Sequence, residues 1–326
     1  RSPPMPLVAL SDSVFPDLEP ARQVLSRVGA ELRLAAAPTA EAIVEAAAAA
    51  DALLVTYARI TEPMIRQLTR CRIISRFGIG IDNIDVAAAA RAGIVVTRVP
   101  DYCIDEVSDH TLALLLALAR KITLSNSQVH AGRWEMKAVV PIHRLKGQVL
   151  GLVGFGQIPQ LLAPKAQALG LRVVAYDPYA PDAVFERLGV ARVELDDLVR
   201  EADFVSIHAP LVPETRGLFD AERLARMKPT AYLINTARGP IVDEHALAAA
   251  LDRGQLAGAA LDVMPNEPPV GSPLVGRTDV IITPHTGFYS EESLVELQTK
   301  AAEEVVRVLS GQPPKNPVNV EVESRR

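Results

Sequence analysis

Cysteine is scarce in this 326-residue chain: Cys71 and Cys103 are the only two, and they form neither a metal-ligand spacing nor a disulfide framework. A reducing compartment, the cytoplasm, suits such a chain, and no metal site is expected. No basic run is present and the formal net charge is −5, which argues against a nucleic-acid partner. Long apolar runs are missing as well. The most apolar helical stretch, Leu112–Ala119, is too short to cross a bilayer, and the opening Arg-Ser-Pro-Pro-Met has no apolar core of a secretion signal. What remains is a globular chain with 49% hydrophobic and 22% charged residues, long enough for two domains with separate cores.

Strand and helix signals alternate along the first hundred residues. Strands are expected at Leu7–Leu10, Glu31–Leu34, Ala52–Val55, Arg72–Ser75 and Ile94–Thr97. Between them lie a helix ending near Gly29, one after Thr39, one from an N-cap at Thr61 through Leu68, and one over Asp85–Ala92 that Gly93 ends. A single long helix, Asp105–Lys121, follows. The alternation restarts with strands at Gln148–Val153, Arg172–Tyr176, Phe204–Ile207, Ala231–Ile234, Gly258–Leu261 and Val280–Ile282. A last helix, opened by Ser290, carries Leu294, Leu297, Ala301, Val305 and Val308 at helical spacing and is long enough to return the chain to the first unit. This pattern predicts two α/β units with mainly parallel sheets, residues 1–104 plus 291–326 forming one and residues 105–290 the other.

The segment Gly151-Leu152-Val153-Gly154-Phe155-Gly156 is the strongest local signal. An apolar strand turns on glycines into a helix, a junction whose backbone N–H groups and helix dipole receive a pyrophosphate. Gln157 and Ile158 open that helix. About twenty residues on, the strand Arg172–Tyr176 ends in Asp177, whose carboxylate suits the ribose hydroxyls of NAD and repels the extra phosphate of NADP. No Arg or Lys adjoins Asp177 in the sequence. A glycine turn can equally be a plain hinge, and the acidic residue at the right distance is what favours the dinucleotide.

Polar residues then gather at the expected C-terminal ends of strands, where open α/β sheets bind ligands. His208 and Pro210 follow one strand. Asn235, Thr236, Ala237, Arg238 and Gly239 follow the next, then Asp262, Asn266 and Glu267, and finally Pro284 and His285. An Arg, a Glu and a His on successive strand ends suit reduction of a 2-keto acid. The guanidinium holds the carboxylate and polarises the carbonyl, and the imidazolium donates a proton as hydride arrives. The carboxylate orients the imidazole and favours its charged form. Taken singly, Arg238 reads as a surface ion pair, Glu267 as a loop carboxylate and His285 as a cap of the next helix. His110, His130, His143 and His245 read most simply as surface or helix residues, and His208 as a wall of the cofactor loop.

Six segments in this order resemble the D-isomer-specific 2-hydroxyacid dehydrogenase family over nearly the whole chain: residues 76–85 (Arg-Phe-Gly-Ile-Gly-Ile-Asp-Asn-Ile-Asp), 153–156, 235–244, 261–263, 266–268 and 283–285. The resemblance implies a Rossmann-type NAD domain inserted into a split flavodoxin-like substrate domain, both doubly wound parallel sheets. It implies Arg238, Glu267 and His285 as the catalytic trio, with Arg76, Gly78, Ile79 and Gly80 binding the substrate carboxylate. The implied cofactor contacts are Gly154, Phe155, Gly156, Gln157, Ile158, Asp177, His208, Pro210, Thr215, Thr236, Ala237, Arg238, Asp262 and His285, with Asp262 beside the nicotinamide carboxamide. A homodimer built through the cofactor domains is also implied. Within the family, Arg76 and Phe288-Tyr289-Ser290-Glu291 resemble the branch of the C-terminal-binding-protein corepressors, with Phe288 where those proteins have tryptophan. That branch supplies the alternative, an NAD(H)-sensing binding protein with little turnover.

Two residues depart from the family pattern. Pro159 replaces the third glycine of the fingerprint, and it is expected to shift the helix start by a residue or two and weaken the cofactor cradle. Pro164, five residues on, is expected to kink the helix.

Overall fold

A computed structural model describes residues 5–319, and they form two compact units. Residues up to Tyr102 together with those from Ser290 make one, and Cys103–Tyr289 the other.

The first unit is built on β1 (Leu7–Leu10), β2 (Glu31–Leu34), β3 (Ala52–Val55), β4 (Ile73–Arg76) and β5 (Val95–Thr97). All pairings are parallel, in the order β2-β1-β3-β4-β5, the flavodoxin-like winding. β3 and β4 are buried at every position, which is why β3 reads as a continuous apolar run without alternation, while β4 opens apolar at Ile73 and Ile74 and closes on the buried polar residues Ser75 and Arg76. Three helix starts behave as written in the sequence. Thr39 and Asp85 cap with their side chains, and Ser290 forms a reciprocal capping box with Ser293. Thr61 differs: its side chain makes no capping bond, and its helix is the short Glu62–Ile65, so the expected run to Leu68 is corrected. The helix Glu291–Leu309 presents Leu294, Leu297, Ala301, Val305 and Val308 as its buried stripe, and Ser75 on β4 donates to the Ala301 carbonyl at 3.0 Å.

The second unit holds β6 (Val149–Val153), β7 (Arg172–Tyr176), β8 (Ala191–Arg192), β9 (Phe204–Ile207), β10 (Tyr232–Asn235), β11 (Gly258–Leu261) and β12 (Val280–Ile282). Its order is β12-β11-β10-β9-β6-β7-β8, again parallel throughout. This is the Rossmann winding, with its topological switch between β6 and β9. The two-residue β8 carries too little pattern to be found in sequence.

Two helical expectations change. The long helix stops at Ala119, because Lys121 takes a left-handed conformation (φ 50°) and a second helix, Ile122–His130, starts there. The helix after the glycine turn runs from Gln157 to Ala168 with Gly156 as its N-cap, so Pro159 does not shift its start. Pro159 occupies the third helical position, where the absent N–H has no intrahelical acceptor to lose, and its ring is buried. Pro164 lies inside a helix that continues past it.

Candidate active site

The chemistry-bearing residues of the second unit collect on the C-terminal ends of its strands. β6 ends in Gly154, whose φ of 92° lies in the left-handed region and whose Cβ, if present, would stand 2.9 Å from the Ala209 nitrogen. That close approach brings the turn against the β9 loop, so Gly154 admits no side chain. Gly156 is the opposite case. A Cβ there would meet nothing within 4 Å, which leaves open space over the helix start where the unpaired N–H groups of Gln157 and Ile158 begin. A cradle of bare backbone at a helix N-terminus fits a dinucleotide pyrophosphate. Phe155 points inward and packs on Phe185 with ring centroids 4.7 Å apart.

Asp177 stands where a ribose-binding carboxylate is expected, and it also organises its surroundings. One oxygen accepts the Phe155 N–H at 2.8 Å, and the other accepts the N–H groups of Tyr179 and Ala180 at 2.8 and 3.0 Å. No Arg or Lys adjoins Asp177 in the sequence, but the fold brings Arg192 on β8 beside it. Its guanidinium donates to the Asp177 carbonyl at 2.8 Å and pairs with Asp182. β8 is what places it there, fifteen residues away in sequence.

On the β9 loop, His208 sits 2.8 Å from the Ser206 hydroxyl, and burial pushes its pKa down to about 3. A ring held neutral cannot serve as a proton donor near neutral pH. Thr215 closes the same loop, donating to the Pro210 carbonyl at 2.6 Å and accepting the Val212 N–H at 2.9 Å. After β10, the buried Asn235 accepts the Ala237 N–H at 3.0 Å and donates to the Arg238 carbonyl at 2.9 Å, so Asn235 shapes the turn that presents Arg238. Thr236 bonds Thr111 at 2.9 Å. Gly239 passes so close to the next loop that a Cβ would overlap the Met264 carbonyl carbon at 2.0 Å.

That contact sets the Arg238 turn against the segment bearing Glu267. One Glu267 oxygen accepts the Met264 N–H at 3.0 Å, and the other is 2.7 Å from Nδ1 of His285. Burial works to raise the Glu267 pKa, but the bond to His285, the Met264 N–H and the Arg238 charge outweigh it and hold the carboxylate below its usual range. His285 itself has φ 54°, a left-handed backbone uncommon outside glycine, with its N–H donating to the Asp262 carbonyl at 2.9 Å. The trio expected from sequence is thus brought together within one unit: Arg238, Glu267 and His285. Asp262, only 3% exposed, accepts Thr283 Oγ1 at 2.6 Å and the N–H groups of Thr286 and Gly287 at 2.9 and 2.8 Å.

The sequence reading missed His110 and Thr111, which the helix Ile104–Ala119 brings to this edge. His110 Nε2 lies 3.0 Å from Thr283 Oγ1 and 3.4 Å from Asp262. No local signal marked them, since helical periodicity says only which face is apolar.

In the first unit, Arg76 ends β4, is buried, and reaches back to the Phe77 carbonyl, with its guanidinium 5.8 Å from the Tyr57 ring centre. Gly78 follows with its carbonyl accepting the Val99 N–H at 3.0 Å, and a Cβ on Gly78 would collide with the Arg76 guanidinium at 2.6 Å. Ile79 and Gly80 are half-buried on the same loop.

Known proteins resemble this chain in sequence and fold. Residues 112–287 match the family model described as D-isomer specific 2-hydroxyacid dehydrogenase, NAD binding domain. A D-3-phosphoglycerate dehydrogenase of Methanocaldococcus jannaschii is 39% identical over 304 residues, covering 93% of this chain and 58% of that protein. The chain therefore spans little more than half the length of that relative. A glyoxylate reductase of Thermococcus litoralis is 35% identical over 293 residues, 88% of each chain. Among solved structures, a D-lactate dehydrogenase from Aquifex aeolicus, complexed with NAD and lactic acid, matches with a TM-score of 0.87 at 27% identity, over 97% of this chain and all of that one. With its second unit an NAD-binding domain of this kind, the chain belongs to the D-isomer-specific 2-hydroxyacid dehydrogenase family.

Proposed function

We propose that this protein is an NAD-dependent D-2-hydroxyacid dehydrogenase that reduces small 2-keto acids. The observation that carries this reading is the 2.7 Å pairing of His285 Nδ1 with Glu267. With Nδ1 engaged by a carboxylate, Nε2 is the ring nitrogen assigned to pass a proton to a carbonyl oxygen. NADH held at the glycine-turn helix would supply the hydride for the carbonyl carbon, and the His285 proton would complete conversion of the 2-keto acid to the 2-hydroxy acid. Arg238 is assigned to the substrate carboxylate and carbonyl, lowering the cost of charge developing on oxygen. Arg76 and the loop Gly78-Ile79-Gly80 are assigned to the carboxylate from the family motif they carry.

For the cofactor, Gly154, Phe155, Gly156, Gln157 and Ile158 hold the pyrophosphate and Asp177 the adenosine ribose. Pro210, Thr215, Thr236, Ala237, Asp262 and His208 line the remainder. Phosphoglycerate, glyoxylate and lactate appear in the names of the relatives, so the acid is assigned only as a small 2-hydroxy/2-keto pair. The partner assigned beyond substrate is a second copy of the chain. No side chain in residues 122–147 is fully buried, and Trp134 and Met136 within them are 86% and 78% exposed, which suits a homodimer arm. The cytoplasm is the assigned location: Cys71 and Cys103 are both buried and outside any disulfide, and burial pushes the Cys71 thiol up to about 12.

The test is a steady-state panel of 2-keto acids with NADH and NADPH, run beside a fluorescence titration with NADH. Turnover that His285→Ala lowers by about 10²–10⁴-fold, with NADH affinity retained, supports the reading. NADH binding without turnover on any acid moves the protein to the cofactor-sensing alternative.

A further inference from the structure

The geometry points to His110, on the helix Ile104–Ala119, as a positioning residue that holds the Thr283–Gly287 loop in the conformation presenting His285. This rests on the reading of His285 as the proton donor and deepens it.

The proton count of the network assigns the direction of each bond. Thr283 has one hydroxyl proton, and its Oγ1 lies 2.6 Å from an oxygen of Asp262. Asp262 remains a carboxylate although burial opposes its charge, because His110, Thr283 and the N–H groups of Thr286 and Gly287 all favour the anion. The Thr283 proton therefore goes to Asp262. Oγ1 is left with a lone pair facing His110 Nε2 at 3.0 Å, so Nε2 carries the hydrogen and donates. The same N–H faces Asp262 at 3.4 Å, so it adds to the field on that carboxylate.

Asp262 in turn grips the loop at three consecutive N–H groups. Its carbonyl accepts from His285 at 2.9 Å, and its carboxylate from Thr286 at 2.9 Å and Gly287 at 2.8 Å. Those bonds surround the left-handed φ of 54° at His285, a conformation that persists only where its surroundings enforce it. Gly287 adds a steric reason: a Cβ there would meet Asp262 Oδ2 at 2.8 Å and the His110 ring at 3.4 Å. The neighbouring residue repeats the device on the Arg238 side. Thr111 gives its proton to the Val107 carbonyl at 2.7 Å and so accepts from Thr236 at 2.9 Å, two residues before Arg238. One turn of helix thus fixes both strand-end loops that carry the acid/base and the arginine.

The experiment compares wild type with His110→Ala and His110→Gln, whose amide nitrogen can replace Nε2–H as a donor. Three quantities are read: kcat and KM for a 2-keto acid, NADH affinity by fluorescence, and amide hydrogen exchange at Thr286 and Gly287 by NMR. His110→Ala should lower kcat by about tenfold, with KM and NADH affinity within about twofold. Exchange at Thr286 and Gly287 should quicken by at least about tenfold in that variant. His110→Gln should recover both to within about threefold. The proposal is overturned if His110→Ala keeps wild-type kcat and exchange, if the loss falls on KM alone, or if Gln does not rescue it. Should wild type turn over no 2-keto acid, the functional reading fails while the exchange measurement still decides whether His110 holds the loop.

Discussion

At the scale of single residues, what matters is which groups keep or lose charge when buried. Burial leaves His208 neutral, whereas Asp262 and Glu267 keep their charge because hydrogen bonds answer the desolvation. A lowered folded-state pKa means that Asp262 adds stability above its ordinary value near 3.8, and that this share is lost as pH falls through the folded value. Asp262→Asn should therefore be less stable than wild type at neutral pH, with the gap closing below about pH 4. Thermal melts of both proteins across the acid range check this, and a gap that stays constant to low pH would contradict it. Glu267→Gln removes the carboxylate that orients His285 through Nδ1. Turnover should then fall by at least about tenfold with NADH affinity retained, because the ring loses the partner that fixes its orientation. Turnover left unchanged by that substitution would assign the proton elsewhere.

Elements decide how those residues meet. The glycine-turn helix keeps its start in spite of Pro159, since the first turn of any helix has N–H groups without intrahelical acceptors. Pro164 has no such shelter. It is exposed in the helix interior and denies a bond to the Gln160 carbonyl. Pro164→Ala is expected to stabilise the protein by about 1–3 kcal/mol, read by chemical denaturation, and a loss of stability would show that the ring makes a needed contact. Gly239→Ala is the reverse case. Its Cβ would overlap the Met264 carbonyl carbon, so the Arg238 and Glu267 loops must part. Turnover should fall by at least about 10²-fold even where the circular dichroism spectrum is unchanged.

For the whole molecule, the predictions concern cofactor choice and assembly. Asp177 faces the cradle as a carboxylate, and Arg192 is committed to the carbonyls of Asp177 and Ala180 and to Asp182. NADH should then exceed NADPH by at least about tenfold in kcat/KM, roughly 1.4 kcal/mol, and parity would mean that Arg192 turns to meet the extra phosphate. Replacing Trp134 and Met136 together with serine should shift sedimentation from dimer towards monomer, because these large apolar side chains are mostly exposed on their own chain. A wild-type monomer would remove the dimer from the proposal.

The sequence alone determined the parts that rest on local rules. Buried parallel strands must be apolar along their length, so β1, β3 and β11 were legible, and the helices after Thr39, from Asp85 and from Ser290 were placed correctly, whereas the N-cap named at Thr61 makes no capping bond. Motifs at strand ends named Arg238, Glu267 and His285, because open parallel sheets gather their loops at one edge whatever the distance in sequence. Only the tertiary structure decided the rest. A two-residue strand such as β8 has no period to read, and Lys121 broke a helix that its composition favoured. Arg192 beside Asp177, and His110 against Thr283 and Asp262, are meetings of residues 15 and more than 150 positions apart. A helical period records which face of a helix is apolar, and it holds no information about which distant side chain the polar face will meet.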